Sequence, residues 1–475
     1  MGGMVSLRTA LRGRRVGLVA PALRAMRLVV VLAVVAALSG CWEQIGYGPG
    51  HTWSNPLEKG LTTANVASLE PVWSVPAQAS FIEPSLSEPI TDGDRVYVVR
   101  HVFTGDEQVI GIEAIDAASG ATAWERTLDT MVGGGGGNVA MAPALVGGEL
   151  WTGYLADEGE FPPSGVPGCR ASRMRLDARS GAVIAEETGF GSSAVPTGSI
   201  IAQKQGAAFL TPTCQDTAPS VAVRDRQTLA TTWTAPLPAI NGAPNEIGPT
   251  VSQGRIFVFH GDLFTIGHVL YAFAADGCGA ATCSPIWTAN VPSGTVPVGP
   301  PVATPDGRVL ALYRDAFGPP ASTELVAYSA TTGTVAWRTQ IGDDTILGAR
   351  VRMAVNGNRV YIMSRPNTPG ASGRILQVFA TSGCGAATCT PLWTASTGDV
   401  DSTTLTAGPV VAGGVVYVAG FTGIHAFAAA GCGAATCTEI ATIPVDGEIA
   451  TSMSVNNGRL YVTTNTNRLI AYAPT

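Results

Sequence analysis

The chain has 475 residues, of which only 13% are charged, and it contains 58 glycines and 32 prolines. This composition is typical of a globular protein built from strands and turns, and it excludes a disordered chain or a helical bundle. The net charge of −7 and the pI near 5.3 argue against a nucleic-acid partner, which would require a basic face.

The N-terminal region carries a short apolar run. Residues 28–38 follow six arginines, and the run ends in Leu38-Ser39-Gly40-Cys41. Its 11 residues are too few to span a bilayer, which takes about 20. The pattern resembles the signal peptide and lipobox of bacterial lipoproteins. That resemblance implies removal of residues 1–40, acylation of Cys41, and export to an extracytoplasmic, membrane-anchored location. An uncleaved anchor or a chance Ser-Gly-Cys is the alternative, and Met1, Met4 or Met26 could be the start.

A repeat follows a predicted N-terminal tether at residues 41–64. Each repeat closes on one residue, usually tryptophan, at an average interval of about 53 residues. These closing residues are Trp73, Trp124, Ala185, Trp233, Trp287, Trp337, Trp393 and Ala441. A glycine turn leading into an alternating strand also recurs eight times, as in Gly93-Asp94-Arg95-Val96-Tyr97. No segment between these signals shows a sustained helical period, so we expect few helices.

Four short strands in a repeat of this length predict the blade of a β-propeller. We therefore expect an all-β fold, a single eight-bladed propeller of four-stranded blades over residues 65–475. The predicted blades are about 88–128, 139–189, 198–237, 248–291, 299–341, 352–397, 407–445, and 452–474 plus 65–77. The N-terminal strand through Trp73 should complete the last blade and close the ring, which removes open edges. Two separate sandwiches are the alternative fold.

Several motifs resemble the pyrroloquinoline-quinone-like propeller superfamily. They are the hairpin Asp116…Gly120…Trp124, its counterpart Ser329…Gly333…Trp337, and the segment from Asn55-Pro56-Leu57 to Pro71-Val72-Trp73. The superfamily includes quinone-dependent dehydrogenases and cofactor-free scaffold lipoproteins of outer-membrane barrel assembly. The resemblance therefore implies a fold but leaves the activity open.

The cysteines predict disulfides. Without Cys41 eight remain, an even number in an exported chain. Six lie in three copies of Gly-Cys-Gly-Ala-Ala-Thr-Cys, where each pair can span a hairpin neck: Cys278 with Cys283, Cys384 with Cys389, and Cys432 with Cys437. A metal site would need four converging thiolates, and the three pairs lie on separate blades. The remaining two, Cys169 and Cys214, occupy equivalent loops of blades 2 and 3, so we predict a disulfide that links these blades.

No residue is assigned a catalytic, metal-binding or cofactor-binding role. In the dehydrogenase families a ring of two adjacent cysteines and carboxylate–amide calcium ligands hold the quinone; this chain has no adjacent cysteines and no haem-attachment Cys-x-x-Cys-His. We therefore expect no cofactor.

One cluster suggests binding. The segments that enter blades 6, 7, 8 and 1 carry acidic residues and should emerge on one face: Asp343, Asp344, Asp399, Asp401, Asp446, Glu448 and Glu83, with Glu88 beside it. Such an acidic arc could hold a cation or a basic peptide; the alternative is a solvated acidic rim.

The sequence thus predicts a lipid-anchored, monomeric, non-catalytic platform for a protein or envelope component. A quinone-binding oxidoreductase and a carbohydrate- or cell-wall-binding module are the alternatives.

Overall fold

The structure is a computed structural model. It describes residues 41–475 apart from 77–85, 105–106, 133–137, 158–168, 189–193, 206–218, 240–247, 262–266, 316–321, 344–352, 365–372 and 399–406. The strands form eight sheets, and the main part of each sheet is built from antiparallel strands that are consecutive in the chain. The eight-bladed all-β propeller predicted from the repeat is confirmed, and a single 3-10 turn, Val66–Ser68, accompanies the strands in the described part of the chain.

The first four blades run in chain order from the inner to the outer strand. Blade 1 comprises Ile90–Thr91, Arg95–Thr104, Glu107–Asp116 and Thr122–Val132. Blade 2 comprises Asn138–Val146, Glu149–Asp157, Cys169–Asp177 and Val183–Thr188. Blade 3 comprises Ala194–Thr197, Ile200–Gln205, Ser220–Asp225 and Thr231–Pro236. Blade 4 comprises Thr250–Ser252, Arg255–His260, Val269–Ala274 and Trp287–Asn290.

The second half of the ring has two irregular blades. Blade 5 has a divided inner strand, Thr295–Pro297 and Val302–Ala303, followed by Arg308–Asp315, Ser322–Ser329 and Val335–Asp343. Blade 6 comprises Met353–Asn356, Arg359–Ser364, Ile375–Ala380 and Trp393–Ser396. Blade 7 comprises Val410–Ala412, Val415–Ala419, Ile424–Ala428 and Ala441–Ile443, with Ser54–Asn55 added in parallel at its inner edge. Blade 8 comprises Ala450–Asn456, Arg459–Thr464 and Leu469–Pro474.

The N-terminal strand closes the ring as predicted. Leu69–Val75 pairs antiparallel with Leu469–Pro474 and so becomes the outer strand of blade 8, with Trp73 opposite Ala471. The first and last parts of the chain therefore share one sheet, and the ring cannot open without breaking this pairing.

The tryptophans join neighbouring blades. The Trp73 indole N–H donates to the Ala117 carbonyl of blade 1 at 3.0 Å, and the ring lies on Gly120 of the next hairpin turn. Gly120 has φ +75, and a Cβ there would lie 2.7 Å from the Trp73 ring, so only glycine fits. The same contact recurs between Trp124 and Gly181, Trp233 and Gly277, Trp287 and Gly333, Trp337 and Gly383, and Trp393 and Gly431.

The three cysteine motifs form disulfides and cover strand edges. Cys278–Cys283, Cys384–Cys389 and Cys432–Cys437 have Cα–Cα distances of 5.7, 5.5 and 5.6 Å. Each loop also pairs with the outer strand of the preceding blade: Thr234 of blade 3 donates its N–H to Ala281 and accepts from that of Cys283. Arg338 pairs in the same way with the loop of blade 6, and Thr394 with that of blade 7. These loops thus occupy edges that would otherwise be open to another strand.

The alternation of strands gives the propeller two distinct faces. We call one side the turn face. It carries the turns that join the inner strand to the second strand and the third strand to the outer strand of each blade. The opposite side, where the chain enters each blade, is the loop face.

Candidate functional site

The central channel is occupied by residues 42–55, which we call the channel segment. Backbone or side-chain hydrogen bonds tie it to the inner side of all eight blades. For blades 1 to 4 these are Thr91 N to Trp42 O (2.8 Å), Leu145 N to Glu43 O (2.7 Å), Gln44 Nε2 to Pro196 O (2.5 Å) and Val251 N to Pro49 O (2.7 Å). For blades 5 to 8 they are Ala303 N to Gly50 O (3.4 Å), Val355 N to Thr52 O (2.7 Å), Val411 N to Trp53 O (3.0 Å) and Asn55 Nδ2 to Val455 O (3.0 Å).

A buried carboxylate holds the channel segment in shape. Glu88 is 3% exposed, and its Oε1 accepts hydrogen bonds from the Trp42 indole at 3.1 Å and from the Gly46 amide at 2.7 Å. Its Oε2 accepts from the Trp53 indole at 3.2 Å. Hydrogen bonds to a charged acceptor are the strong class, and here they replace the water that a buried carboxylate loses. Glu88, which we expected beside Glu83 in the acidic arc, is therefore buried in the channel instead.

His51 fixes the middle of the channel segment. The residue is 9% exposed, and its ring stacks on Trp53 with 5.8 Å between ring centroids. Nδ1 lies 3.2 Å from the Ile45 carbonyl, and Nε2 lies 3.2 Å from the Pro249 carbonyl of the segment that enters blade 4. His51 therefore lies at the contact between the segment and blade 4.

The segment leaves the channel through a tight crossing at the turn face. Glu58 is 3% exposed, and its Oε1 accepts from the amides of Gly60, Leu61 and Gly458. A Cβ on Gly413 would lie 1.6 Å from the Leu61 carbonyl oxygen, so the crossing requires glycine at the turn of blade 7. The chain then continues into the closing strand of blade 8.

This arrangement differs from the expected tether at residues 41–64. Trp42 is fully buried and Asn55 is buried as well. The available signal was the density of aromatic side chains directly after Cys41, with Trp42, Tyr47 and Trp53 in 12 residues. Three large aromatic rings in so short a segment indicate a buried segment and not a solvated tether.

Cys41 lies at the turn-face end of the channel. Its Sγ is 3.1 Å from the carbonyl oxygen of Asp92, in the inner turn of blade 1, and the residue is half-buried. Burial, reinforced by the negative charges of Glu43, Asp92 and Asp94, raises the pKa of the thiol to about 11. Nothing in the structure tests acylation, which stays a prediction.

The acidic arc is only partly within the described residues. Asp446 is exposed, whereas Glu448 is half-buried and bonds through Oε1 to Arg468 at 2.8 Å. Burial alone would raise the pKa of Glu448, but hydrogen bonds with Thr464, Arg468 and Thr466 outweigh it and lower the pKa. Asp343 ends the outer strand of blade 5. Asp344, Asp399, Asp401 and Glu83 lie outside the described residues, so the arc stays a prediction.

A pocket of about 420 Å³ opens on the turn face between blades 6 and 7. Its wall combines the chain that leaves the channel, with Glu58 and Lys59, the turn of blade 6, with Arg359, and the turn of blade 7, with Gly413. Lys59 is exposed, and its neighbour Leu57 is 47% exposed. The sequence alone could not place these residues together, because the crossing that forms the wall occurs once.

Other predicted features have different outcomes. Cys169 begins the third strand of blade 2, but Cys214 lies outside the described residues, so their disulfide stays a prediction. Among the residues that the structure describes, no group of three His, Cys, Asp or Glu side chains could hold a metal ion. In the same part of the chain, no helix is long and apolar enough to cross a membrane.

The fold defines a propeller of the pyrroloquinoline-quinone-like superfamily. A sequence profile of the family described as outer membrane protein assembly factor BamB matches residues 54–158, 277–383 and 382–475. These matches cover more than half of the chain, and the chain belongs to this family.

Two solved structures illustrate the similarity. BamB from Moraxella catarrhalis is 16% identical over 86% of this chain and 98% of its own, with a TM-score of 0.49. The quinohemoprotein alcohol dehydrogenase ADHIIG from Pseudomonas putida HK5 is 13% identical over 93% and 82%, with a TM-score of 0.57. The dehydrogenase likeness establishes a shared fold and leaves the activity open. A comparison with curated protein sequences finds no match.

Proposed function

We propose that the protein is an extracytoplasmic scaffold of the bacterial envelope, anchored through an acylated Cys41, that binds another protein. The observation that carries this proposal is the channel segment, which lies at the turn-face end of the channel and bonds to all eight blades. Since the chain itself occupies this end of the channel, we place recognition on the rest of the surface. Membership of a family described by outer-membrane protein assembly supports a protein as the partner.

The loop face is the proposed contact surface. We expect the segments that enter blades 6, 7, 8 and 1 to carry the acidic arc at the loop-face mouth of the channel. A carboxylate arc attracts a basic segment of a partner over the ~8 Å screening length of physiological salt. We exclude Glu448 from the test set because its pairing with Arg468 ties it to the fold.

The test compares two triple variants of equal charge. Asp343→Asn, Asp399→Asn and Asp446→Asn neutralise the arc, whereas Glu70→Gln, Asp94→Asn and Asp276→Asn remove three exposed acidic groups elsewhere. Each variant is cross-linked in native membranes, and its partners are identified by mass spectrometry. We expect the wild type and the control to capture the same partner and the arc variant to lose it. Equal capture by both variants would assign the arc to solubility.

The anchor and the alternative activity have their own measurements. We expect Cys41→Ala to leave an unprocessed precursor or a protein released from membranes, and normal processing with membrane retention would refute acylation.

Absorbance and metal analysis of protein purified from its native host address the oxidoreductase alternative, which stoichiometric quinone or calcium would favour. A glycan-binding screen addresses the carbohydrate alternative.

A further inference from the structure

We propose that the turn face of the propeller rests directly on the lipid surface, with the channel axis crossing that surface and the loop face directed away from it. This inference rests on the proposed acylation of Cys41. It adds an orientation that acylation alone does not imply. A domain on a long flexible linker can take most orientations relative to the membrane.

The first step is the position of the anchor. The Cys41 Sγ lies against the Asp92 carbonyl, and Asp92 belongs to the inner turn of blade 1 on the turn face. An acyl group attached to that sulfur therefore leaves the protein at the turn-face mouth of the channel.

The second step is that no flexible linker separates Cys41 from the folded propeller. Trp42, the next residue, is fully buried and bonded through its indole to Glu88 and through its carbonyl to Thr91. One residue spans at most ~3.6 Å, so the acylated residue cannot move far from the propeller while the channel segment stays in place. The turn face must then remain within a few ångströms of the headgroups.

The third step is the chemistry of that face. Leu57 is 47% exposed and Lys59 is exposed where the chain leaves the channel, and Arg359 lines the adjoining pocket. An apolar side chain beside two cations suits a surface of phosphate headgroups. Asp92 and Asp94, both exposed, lie near Cys41, so the face carries both signs of charge. Attachment should therefore depend on the acyl chains and change little with salt.

The consequence concerns the partner. With the turn face on the membrane, the loop face points into the aqueous space, where the acidic arc is accessible to a soluble or periplasmically exposed segment of another protein. An anchor on the loop face would instead have covered the arc.

The test measures the distance of three labelled sites from the bilayer. Ala118→Cys and Thr332→Cys place a thiol on the turn face, in blades 1 and 5 on opposite sides of the ring, and Ser293→Cys places one on the loop face; all three residues are exposed. The full acylated protein, labelled with a fluorophore, is reconstituted into phosphatidylethanolamine–phosphatidylglycerol vesicles. Wild-type protein reports background labelling, and non-reducing peptide maps confirm that the native disulfides persist.

We expect headgroup-nitroxide lipids to quench the labels at 118 and 332 at least twofold more than the label at 293, and iodide to show the reverse order. Quenching at 118 alone would mean an edge-on attachment and would overturn the flat orientation. A ten-residue Gly-Ser insertion between Cys41 and Trp42 is the matched control, and it should abolish the difference between the faces while acylation is retained.

Mass spectrometry of the N-terminal peptide separates the two claims. An acylated Cys41 with equal quenching at all three sites overturns the orientation and leaves the anchored scaffold standing. An unmodified Cys41 in mature protein from the native host overturns both.

Discussion

At the scale of single residues, two buried glutamates organise the N-terminal region. Glu88 gathers three N–H donors inside the channel, and Glu58 gathers three at the crossing. Both look like surface acids in the sequence. A buried carboxylate is stable only when such donors surround it. Glu88 and Glu58 therefore mark the two points at which hydrogen bonds hold the N-terminal chain in place.

We expect Glu88→Ala to lower the free energy of unfolding by about 3 kcal/mol, because three buried N–H groups lose a charged acceptor. Glu88→Gln keeps one carbonyl oxygen, so its free energy of unfolding should lie between those of the wild type and Glu88→Ala. Glu70→Ala on the exposed outer strand of blade 8 is the control and should change stability little. Denaturant titration measures all three, and equal stability of the two alanine variants would contradict the role of Glu88.

The glycine pair at the turn of blade 7 offers a matched comparison. Gly413 and Gly414 both have positive φ, +55 and +79, but only Gly413 would place a Cβ against Leu61, and Gly414 has nothing within 4 Å. Gly414→Ala should cost about 1 kcal/mol for the left-handed backbone. Gly413→Ala should cost at least twice as much and should speed amide exchange at Gly60 and Leu61. Similar losses in both variants would mean that the crossing is not tight.

At the scale of elements, the blade-to-blade contact of tryptophan on glycine explains why the repeat was visible in the sequence. Six of the eight joints place a tryptophan ring on a turn glycine at nearly the same spacing, so the signal recurs. The irregular elements were less visible. The divided inner strand of blade 5, Thr295–Pro297 and Val302–Ala303, has no counterpart among the described residues of the other blades. The extra strand Ser54–Asn55 of blade 7 comes from a distant part of the chain.

Two of these joints differ in one hydrogen bond. The Trp337 indole donates to the Thr381 carbonyl at 2.9 Å, whereas the Trp393 indole N–H has no hydrogen-bond partner among the described residues. Both side chains are buried, and each lies on a glycine. We expect Trp337→Phe to lower the free energy of unfolding by about 1 kcal/mol more than Trp393→Phe does. Thermal and denaturant unfolding of the pair measures the difference, and a larger loss for Trp393→Phe would contradict this account of the joint.

At the scale of the whole molecule, the sequence predicted the number of blades, the closing strand and three disulfides, because each depends on repeated or local patterns. It did not predict the filled channel. Contacts of the channel segment join residues far apart in the chain, with a separation of 46 positions between Trp42 and Glu88 and of 400 between Asn55 and Val455. Long-range pairings of this kind leave no periodicity to detect, so Glu88 was assigned to the acidic arc and residues 41–64 to a tether.

The channel segment should stabilise the ring as a whole. A chain that begins at Ser54 keeps the closing strand but removes the acceptors for six inner-strand amides: Thr91, Leu145, Val251, Ala303, Val355 and Val411. At about 1 kcal/mol for each hydrogen bond, we expect the melting temperature to fall on the order of 10 °C relative to the mature chain. Amide exchange at Val251, Val355 and Val411 should become faster in the same variant, because these groups then face solvent. Cys41→Ser in the full mature chain is the control and should retain both properties, since Trp42 and the residues after it stay in place. An unchanged melting temperature together with unchanged exchange at these amides would mean that the inner strands do not depend on the segment, and the filled channel would then have no structural role.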